Sequence, residues 1–361
     1  MKPTEALSAA GQSLWLDNIT RTMLDDQTLA GHIDEQSVTG LTSNPTIYDQ
    51  AISGSGDYDA DIRAKAAAGL AGEDLFFELA LEDLSRAADL FRPIHEATNQ
   101  VDGWVSLEVS PTLAYDAART VAAARDLHAR ASRPNLFIKI PGTPEGLPAI
   151  EEAIVAGVPV NVTLLFSREQ VLAAAEAYLR GIERRVAAGL NPAVGSVASL
   201  FVSRWDAAVA GKVPAPLANR LGIAIAGRSY KAYRALLASD RWLRLLNAGA
   251  RAPRLLWAST GTKDPAASDV LYVTALAAPH TVNTMPERTL LAFADHGAVG
   301  AMLPPDGGDA EDTLAAFERA GIDLDALAAD LQRDGAAAFV RSWNDLLGCI
   351  AWKSTALTAA S

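Results

Sequence analysis

Leu136-Phe137-Ile138-Lys139-Ile140-Pro141 is a short apolar run interrupted by one lysine and closed by Pro141-Gly142. Short apolar runs bounded by turn residues read as buried strands. Successive side chains of a strand point to opposite faces. Leu136, Ile138 and Ile140 therefore share one face, and Phe137 shares the other with Lys139. The pattern recurs on both sides of this stretch, at 13–18, 37–43, 103–110, 158–166, 194–202, 254–260 and 280–285. Long amphipathic segments separate the runs. Leu172, Ala175, Leu179, Ile182 and Val186 form one stripe at helical spacing. Asn44-Pro45, Ser110-Pro111 and Ser167 before Arg168-Glu169-Gln170 each look like a cap followed by a first turn.

Eight strands separated by helices predict an α/β fold, a (β/α)₈ TIM barrel of parallel strands with additional helices. The alternative, an open doubly wound sheet, usually carries a glycine-rich turn after its first strand, and none follows Asp17. Gly54-Ser55-Gly56 lacks the spacing of a phosphate cradle. No repeat, low-complexity stretch or linker divides the chain. Residues 1–361 are read as a single barrel domain. Val213-Pro214-Ala215-Pro216 is a local rigid turn, and Ala-rich helices from about Gly308 are expected to pack on the barrel's outside.

The composition narrows the function. Half of the 361 residues are apolar, enough for a large core. A net charge of −12 with no basic patch repels nucleic acid, whereas a small anion responds to local charges. The one cysteine, Cys349, forms no internal disulfide, which fits a reducing compartment. The N-terminus carries no signal-like apolar run, and no apolar stretch reaches membrane-spanning length. A soluble cytoplasmic protein with no membrane partner is expected. His32, His95, His128, His280 and His296 have no partners at zinc-motif spacing, so no metal is expected.

Sorting the strands by parity isolates polar residues that face inward. The first strand sets Trp15 and Asp17 against Leu14 and Leu16. The third sets Ser106 and Glu108 against Val105, Leu107 and Val109. In the fifth, Asn161 and Thr163 point inward while Val160, Val162 and Leu164 meet the helices. Ser199 and Phe201 share a side of the sixth strand, and Ser259 ends the seventh. These groups cluster toward the C-terminal strand ends, where barrel active sites lie. Burying them together is costly unless they pair or work.

Each has a plain structural reading beside the functional one. Among the lysines, only Lys139 lies in a strand with apolar residues on both sides. Burial favours its neutral amine, which can attack a carbonyl to give a Schiff base; the alternative is an ion pair with Glu108 or Asp17. Glu108 sits mid-strand, where capping is impossible. Asp17 and Asn44 can each be a helix cap. Asn161 and Thr163 can be an internal hydrogen-bond layer. Ser199 and Ser259 can be barrel filler, and Phe201, Trp15 and Trp257 core. Arg204 lies just beyond a strand end, as an anion clamp or as a solvated arginine.

Leu16-Asp17, Thr42-Ser43-Asn44-Pro45-Thr46, Leu107-Glu108-Val109-Ser110, Phe137-Ile138-Lys139-Ile140-Pro141-Gly142-Thr143, Asn161-Val162-Thr163-Leu164-Leu165-Phe166-Ser167 and Ala258-Ser259 resemble, in order, the strand ends of the transaldolase family. The resemblance runs from about Leu14 to Met285, and the Lys-Ile-Pro-Gly-Thr form is similar to the longer bacterial branch. It implies a cofactor-free enzyme of the non-oxidative pentose phosphate pathway. The substrates would be sedoheptulose 7-phosphate or fructose 6-phosphate with glyceraldehyde 3-phosphate or erythrose 4-phosphate, and the chain would be a monomer or homodimer. Lys139 would be the Schiff-base lysine and Asp17 the general acid/base. Glu108 and Thr163 would hold a proton-shuttling water. Asn44 and Asn161 would bind the dihydroxyacetone hydroxyls, Ser199 and Phe201 would shape the pocket, and Arg204 with Ser259 would bind phosphate. The sequence departs from the family at Leu200 and Ser203, within Ser199-Leu200-Phe201-Val202-Ser203-Arg204. Gly261 stands where many relatives carry a second phosphate arginine, and Lys263 is close enough to substitute as a point charge. Two rivals share the scaffold: a fructose-6-phosphate aldolase-like class I aldolase and an inactive sugar-phosphate-binding barrel.

Overall fold

The computed structural model describes residues 1–359. Eight strands fall on the eight predicted intervals: β1 Gln12–Asp17, β2 Val38–Thr42, β3 Trp104–Glu108, β4 Leu136–Pro141, β5 Val160–Leu165, β6 Ser196–Phe201, β7 Arg254–Ala258 and β8 Thr281–Met285. Every neighbouring pair is parallel, and β1 bonds to both β2 and β8, closing the barrel. The predicted (β/α)₈ architecture is the observed one.

Strand register sets which side chains meet inside. Ser106 pairs with Phe137, Glu108 with Lys139, and Lys139 with Asn161. Glu108, Lys139 and Asn161 therefore lie abreast on three adjacent strands. Asp17 pairs with Thr42 in the same way. Below them the barrel is filled. Trp104 stacks on Phe137 at 4.0 Å between ring centroids, and Trp15 lies 6.2 Å from Phe137. This aromatic layer is the packed floor of the barrel. Trp15 and Trp257 are both wholly buried, as their core reading required.

Two expectations are corrected. Leu164 does not continue the helix-facing row of Val160 and Val162. The β5–β6 register shifts between Val162 and Leu165, and Leu164 adopts φ 60°. This local break turns the strand end and leaves the Leu164 carbonyl to accept a hydrogen bond from Gln332 Nε2 at 2.9 Å.

The second correction concerns the C-terminal helices. Ala310–Arg319 packs against helix Leu221–Leu237, on the barrel's outside as expected. Leu324–Ala359 instead crosses the C-terminal mouth. Ala328, Gln332, Ala336, Phe339, Trp343, Leu346 and Ile350 form its buried stripe, the three- and four-residue spacing of one helix face. Gln332 Nε2 donates to the Gly142 and Leu164 carbonyls. Thr46 Oγ1 donates to Ser342 Oγ at 2.8 Å, and Lys353 Nζ lies 2.7 Å from Asp59 Oδ1.

Two of the three predicted caps are present. Asn44 Oδ1 accepts from Ile47 N, and Ser167 forms a capping box with Gln170. Ser110 precedes only a short 3₁₀ turn and bonds Glu73 instead. In the helix Arg168–Ala187, Ala175, Leu179 and Ile182 are buried, while Val186 at its end is exposed.

Gly40 on β2 faces the floor. A Cβ there would lie 2.6 Å from the Trp104 carbonyl oxygen and 2.7 Å from Trp15 Cε2. Gly40→Ala is therefore expected to destabilise by about 1–3 kcal/mol through overpacking. Urea unfolding should show a lower midpoint at constant slope; an unchanged midpoint would mean that the floor yields freely.

Candidate active site

The C-terminal strand ends surround a cavity of about 320 Å³. Asp17, Asn44, Lys139, Thr163, Ser199, Phe201, Arg204, Ser259 and Lys263 all line it. Glu108 and Asn161 do not reach its surface. They flank Lys139 in the strand register and are almost wholly buried.

Lys139 is 5 % exposed, so its amine is reached only through the cavity. Its Nζ donates to the Ser43 carbonyl at 3.1 Å and lies 3.0 Å from Glu108 Oε2. The ion pair and the cavity amine, two readings that the sequence left open, are thus one arrangement. Burial pushes the Glu108 carboxyl above its ordinary range. Lys139 and Arg204 pull it back, and Asp17 adds to the rise. A carboxyl so raised is a better proton acceptor than an exposed one, and it sits beside the Lys139 amine. Apart from the Lys139 contact at Oε2, Glu108 Oε1 and Thr163 Oγ1 meet no hydrogen-bond partner among the described residues. Buried polar atoms without partners are rare and mark sites built to hold something more.

Asp17 is half-buried at the end of β1. It does not cap the helix that follows; Thr20 does, accepting from Met23 N. Asp17 Oδ1 instead accepts from Thr42 Oγ1 at 2.7 Å, and Thr42 Oγ1 lies 2.7 Å from Thr284 Oγ1. Asn44 is both cap and cavity residue. Its Oδ1 is used by the helix, and its Nδ2 bonds no described residue. Asn161 is held on both sides, donating to Ser106 Oγ at 3.1 Å and accepting from Ser199 Oγ at 2.7 Å. The internal-layer reading therefore describes Asn161 and Ser199.

The other wall is cationic. Arg204 makes no salt bridge with a described residue, and its guanidinium lies 5.1 Å from the Phe201 ring and 5.9 Å from the Phe339 ring. Burial lowers its pKa, against the pull of Asp17 and Glu108. Lys263 at the rim is lowered by partial desolvation and by the charges of Arg288 and Arg204. Ser259 would share the outward row of Leu255 and Trp257, but φ 55° turns it into the cavity beside Ser203 Oγ at 3.0 Å. Unpaired cations beside hydroxyl donors at strand ends can take an oxyanion. Among the described residues, no three His, Cys, Asp or Glu side chains converge as a metal site requires.

Among the lining residues that sequence reasoning did not assign to the site are Thr42, Thr284 and Phe339. Thr42 and Thr284 occupy inward rows near the ends of β2 and β8, so parity alone could have found them. Phe339 comes from the helix across the mouth and had no local signal.

A family profile described as Transaldolase/Fructose-6-phosphate aldolase matches residues 14–350. A transaldolase of Saccharopolyspora erythraea is 46% identical over 350 residues, covering 95% of both chains. A transaldolase of Arthrobacter sp. strain FB24 is 44% identical, covering 96% of both. A protein named Transaldolase 2 of Nostoc punctiforme is 40% identical, covering 94% of both.

The raised Glu108 carboxyl has a stability signature. Its contribution is fully present below the unfolded pKa, near 4.3, and is lost as pH rises through the higher folded value. Glu108→Gln removes that loss. Its thermal midpoint should rise relative to the unsubstituted protein from about pH 4 toward pH 7. A constant difference across that range would contradict the shift.

Proposed function

We propose the following chemistry for this chain, which belongs to the transaldolase/fructose-6-phosphate aldolase family. The chain is a transaldolase. It moves a dihydroxyacetone unit between sedoheptulose 7-phosphate or fructose 6-phosphate and glyceraldehyde 3-phosphate or erythrose 4-phosphate, a step of the non-oxidative pentose phosphate pathway. The observation that carries the reading is the buried Lys139 amine, open to the cavity and 3.0 Å from a carboxyl that burial has made more basic.

The amine of Lys139 attacks C2 of the ketose, and its proton passes to Glu108. Loss of water from the carbinolamine gives a protonated imine. Glu108 and Thr163 hold the water that carries protons in this exchange; the unpartnered Glu108 Oε1 and Thr163 Oγ1 support that role. The imine draws electrons from the C3–C4 bond. Asp17, oriented by the Thr42 hydroxyl, takes the C4-hydroxyl proton, and the bond breaks. An aldose phosphate leaves, and the three-carbon fragment stays on Lys139 as an enamine. The enamine attacks an incoming aldose phosphate, and the steps reverse.

Asn44 Nδ2 and Ser199 meet the dihydroxyacetone hydroxyls at the cavity wall, with Phe201 beside them. Asn161, set behind the wall, acts on the same hydroxyls through Ser199, whose hydroxyl it accepts from. Arg204, Ser259 and Lys263 bind the phosphate. The lack of a carboxylate partner for Arg204 supports this, since a free guanidinium in a cavity is poised for an anion. No helix among the described residues is long and apolar enough to cross a membrane. We place the enzyme in the cytoplasm, as a monomer or homodimer acting on free sugar phosphates.

The aldolase-like rival would protonate and release the fragment. The presence of Glu108 together with Thr163 favours transfer, and the joint presence of Asp17, Glu108 and Lys139 favours an enzyme over an inactive binding barrel.

Borohydride reduction in the presence of fructose 6-phosphate should trap an adduct on Lys139, located by peptide mapping. Lys139→Ala should fold but lose both adduct and turnover; substantial residual transfer would remove the Schiff-base role. Arg204→Ala should lose about 1.5–3 kcal/mol of charged hydrogen bonding to phosphate, a roughly 10- to 150-fold rise in KM for phosphorylated donors. An equal rise with unphosphorylated dihydroxyacetone donors would rule out a phosphate clamp.

A further inference from the structure

The helix Leu324–Ala359 sends one aromatic side chain into the cavity, Phe339. We propose that Phe339 determines transfer over release, by keeping bulk water from the enamine held on Lys139. The inference rests on the Schiff-base reading above and goes beyond it.

The placement is specific. Phe339 lines the cavity, yet only 5 % of it is exposed. Its ring centroid lies 5.7 Å from Lys139 Nζ and 5.9 Å from Arg204 Cζ, so one ring covers both the reacting nitrogen and the cation of the phosphate wall. Trp343, the next aromatic on the stripe, points elsewhere, against Phe76 and Phe77.

The helix is fixed on both sides of this residue. Gln332, about two turns earlier, bonds the carbonyls of Gly142 and Leu164. Ser342, about one turn later, accepts from Thr46. Between them Gly335 allows the close approach. A Cβ there would stand 3.0 Å from Leu164 Cδ2 and 3.3 Å from Arg204 Nη1. The mouth is therefore covered by a backbone tied close to the strand ends, and Phe339 is the side chain that it delivers.

Release and transfer differ by one proton. In transfer, the enamine carbon C3 forms its new bond to the aldehyde carbon of the aldose. In release, C3 takes a proton from water instead. Water then adds at C2, the C–N bond breaks, and the net change is enamine plus one water giving dihydroxyacetone and the free Lys139 amine. The polar atoms that handle water for imine exchange, on Glu108 and Thr163, belong to β3 and β5 within the barrel. Phe339 covers the amine from the mouth, and an apolar ring there offers water no hydrogen bond. The ring also favours the cationic iminium over a neutral nitrogen.

The test uses the full chain and compares F339A and F339L with the unsubstituted protein. Dihydroxyacetone release from fructose 6-phosphate without acceptor is divided by the rate of transfer to erythrose 4-phosphate. Borohydride trapping at Lys139 is run on every protein. F339A should still trap, and its release-to-transfer ratio should rise roughly tenfold or more. F339L keeps apolar bulk and should stay near the unsubstituted ratio. F339V, which removes the ring but keeps a small apolar side chain, should also raise the ratio and stands in if F339A does not fold. Trapping with an unchanged ratio in F339A, or in F339V where F339A does not fold, overturns the role of Phe339 and leaves the Schiff base standing. Absence of an adduct in the unsubstituted protein overturns the Schiff-base reading, and this inference with it.

Discussion

The structure depends on the contact between Lys139 and Glu108, two ionisable groups abreast on adjacent strands and both nearly without solvent exposure. Removing two charges from water costs free energy that a single contact rarely returns. Here the cost shows in the carboxyl, which burial drives upward despite its cationic neighbour. A buried pair with its carboxyl raised in this way is a poor device for stability and a suitable one for proton transfer. Two neighbouring polar atoms without partners, Glu108 Oε1 and Thr163 Oγ1, point the same way.

The barrel makes this pair affordable. Parallel register puts Glu108, Lys139 and Asn161 side by side, and the Ser106–Asn161–Ser199 chain holds the amide on their flank. The strand ends then distribute two kinds of chemistry around one cavity. Asp17 with its Thr42 hydroxyl stands at β1, and the cations Arg204 and Lys263 follow β6 and β7. The overall charge of −12 does not oppose anion binding, because the cavity wall carries positive charge of its own.

Much of this was legible because a strand has a period of two and a barrel has an inside. The positions of Asp17, Glu108, Lys139 and Phe201 follow from counting along apolar runs. Counting fails where the backbone departs from the strand. Leu164 and Ser259 both have positive φ, which reverses the face that each would take. Thr42 and Thr284 obeyed the count and were still passed over, since a small hydroxyl at a strand end looks like filler until a carboxylate is found beside it. Asn44 shows that competing readings need not exclude each other; one amide oxygen caps a helix while the rest of the group faces the cavity. Phe339 is a different case. The helical stripe that buries it is visible in the sequence, but a stripe says that a face is covered and not what covers it.

The aromatic floor has a consequence of its own. With Trp104 stacked on Phe137 and Trp15 beside them, beneath Lys139, the barrel is a vessel with one door. Whatever departs must leave by the way it came, through the same narrowed opening that the next reactant needs. The two aldoses therefore take turns, and the covalent bond to the protein is what keeps the shared three carbons in place during the changeover.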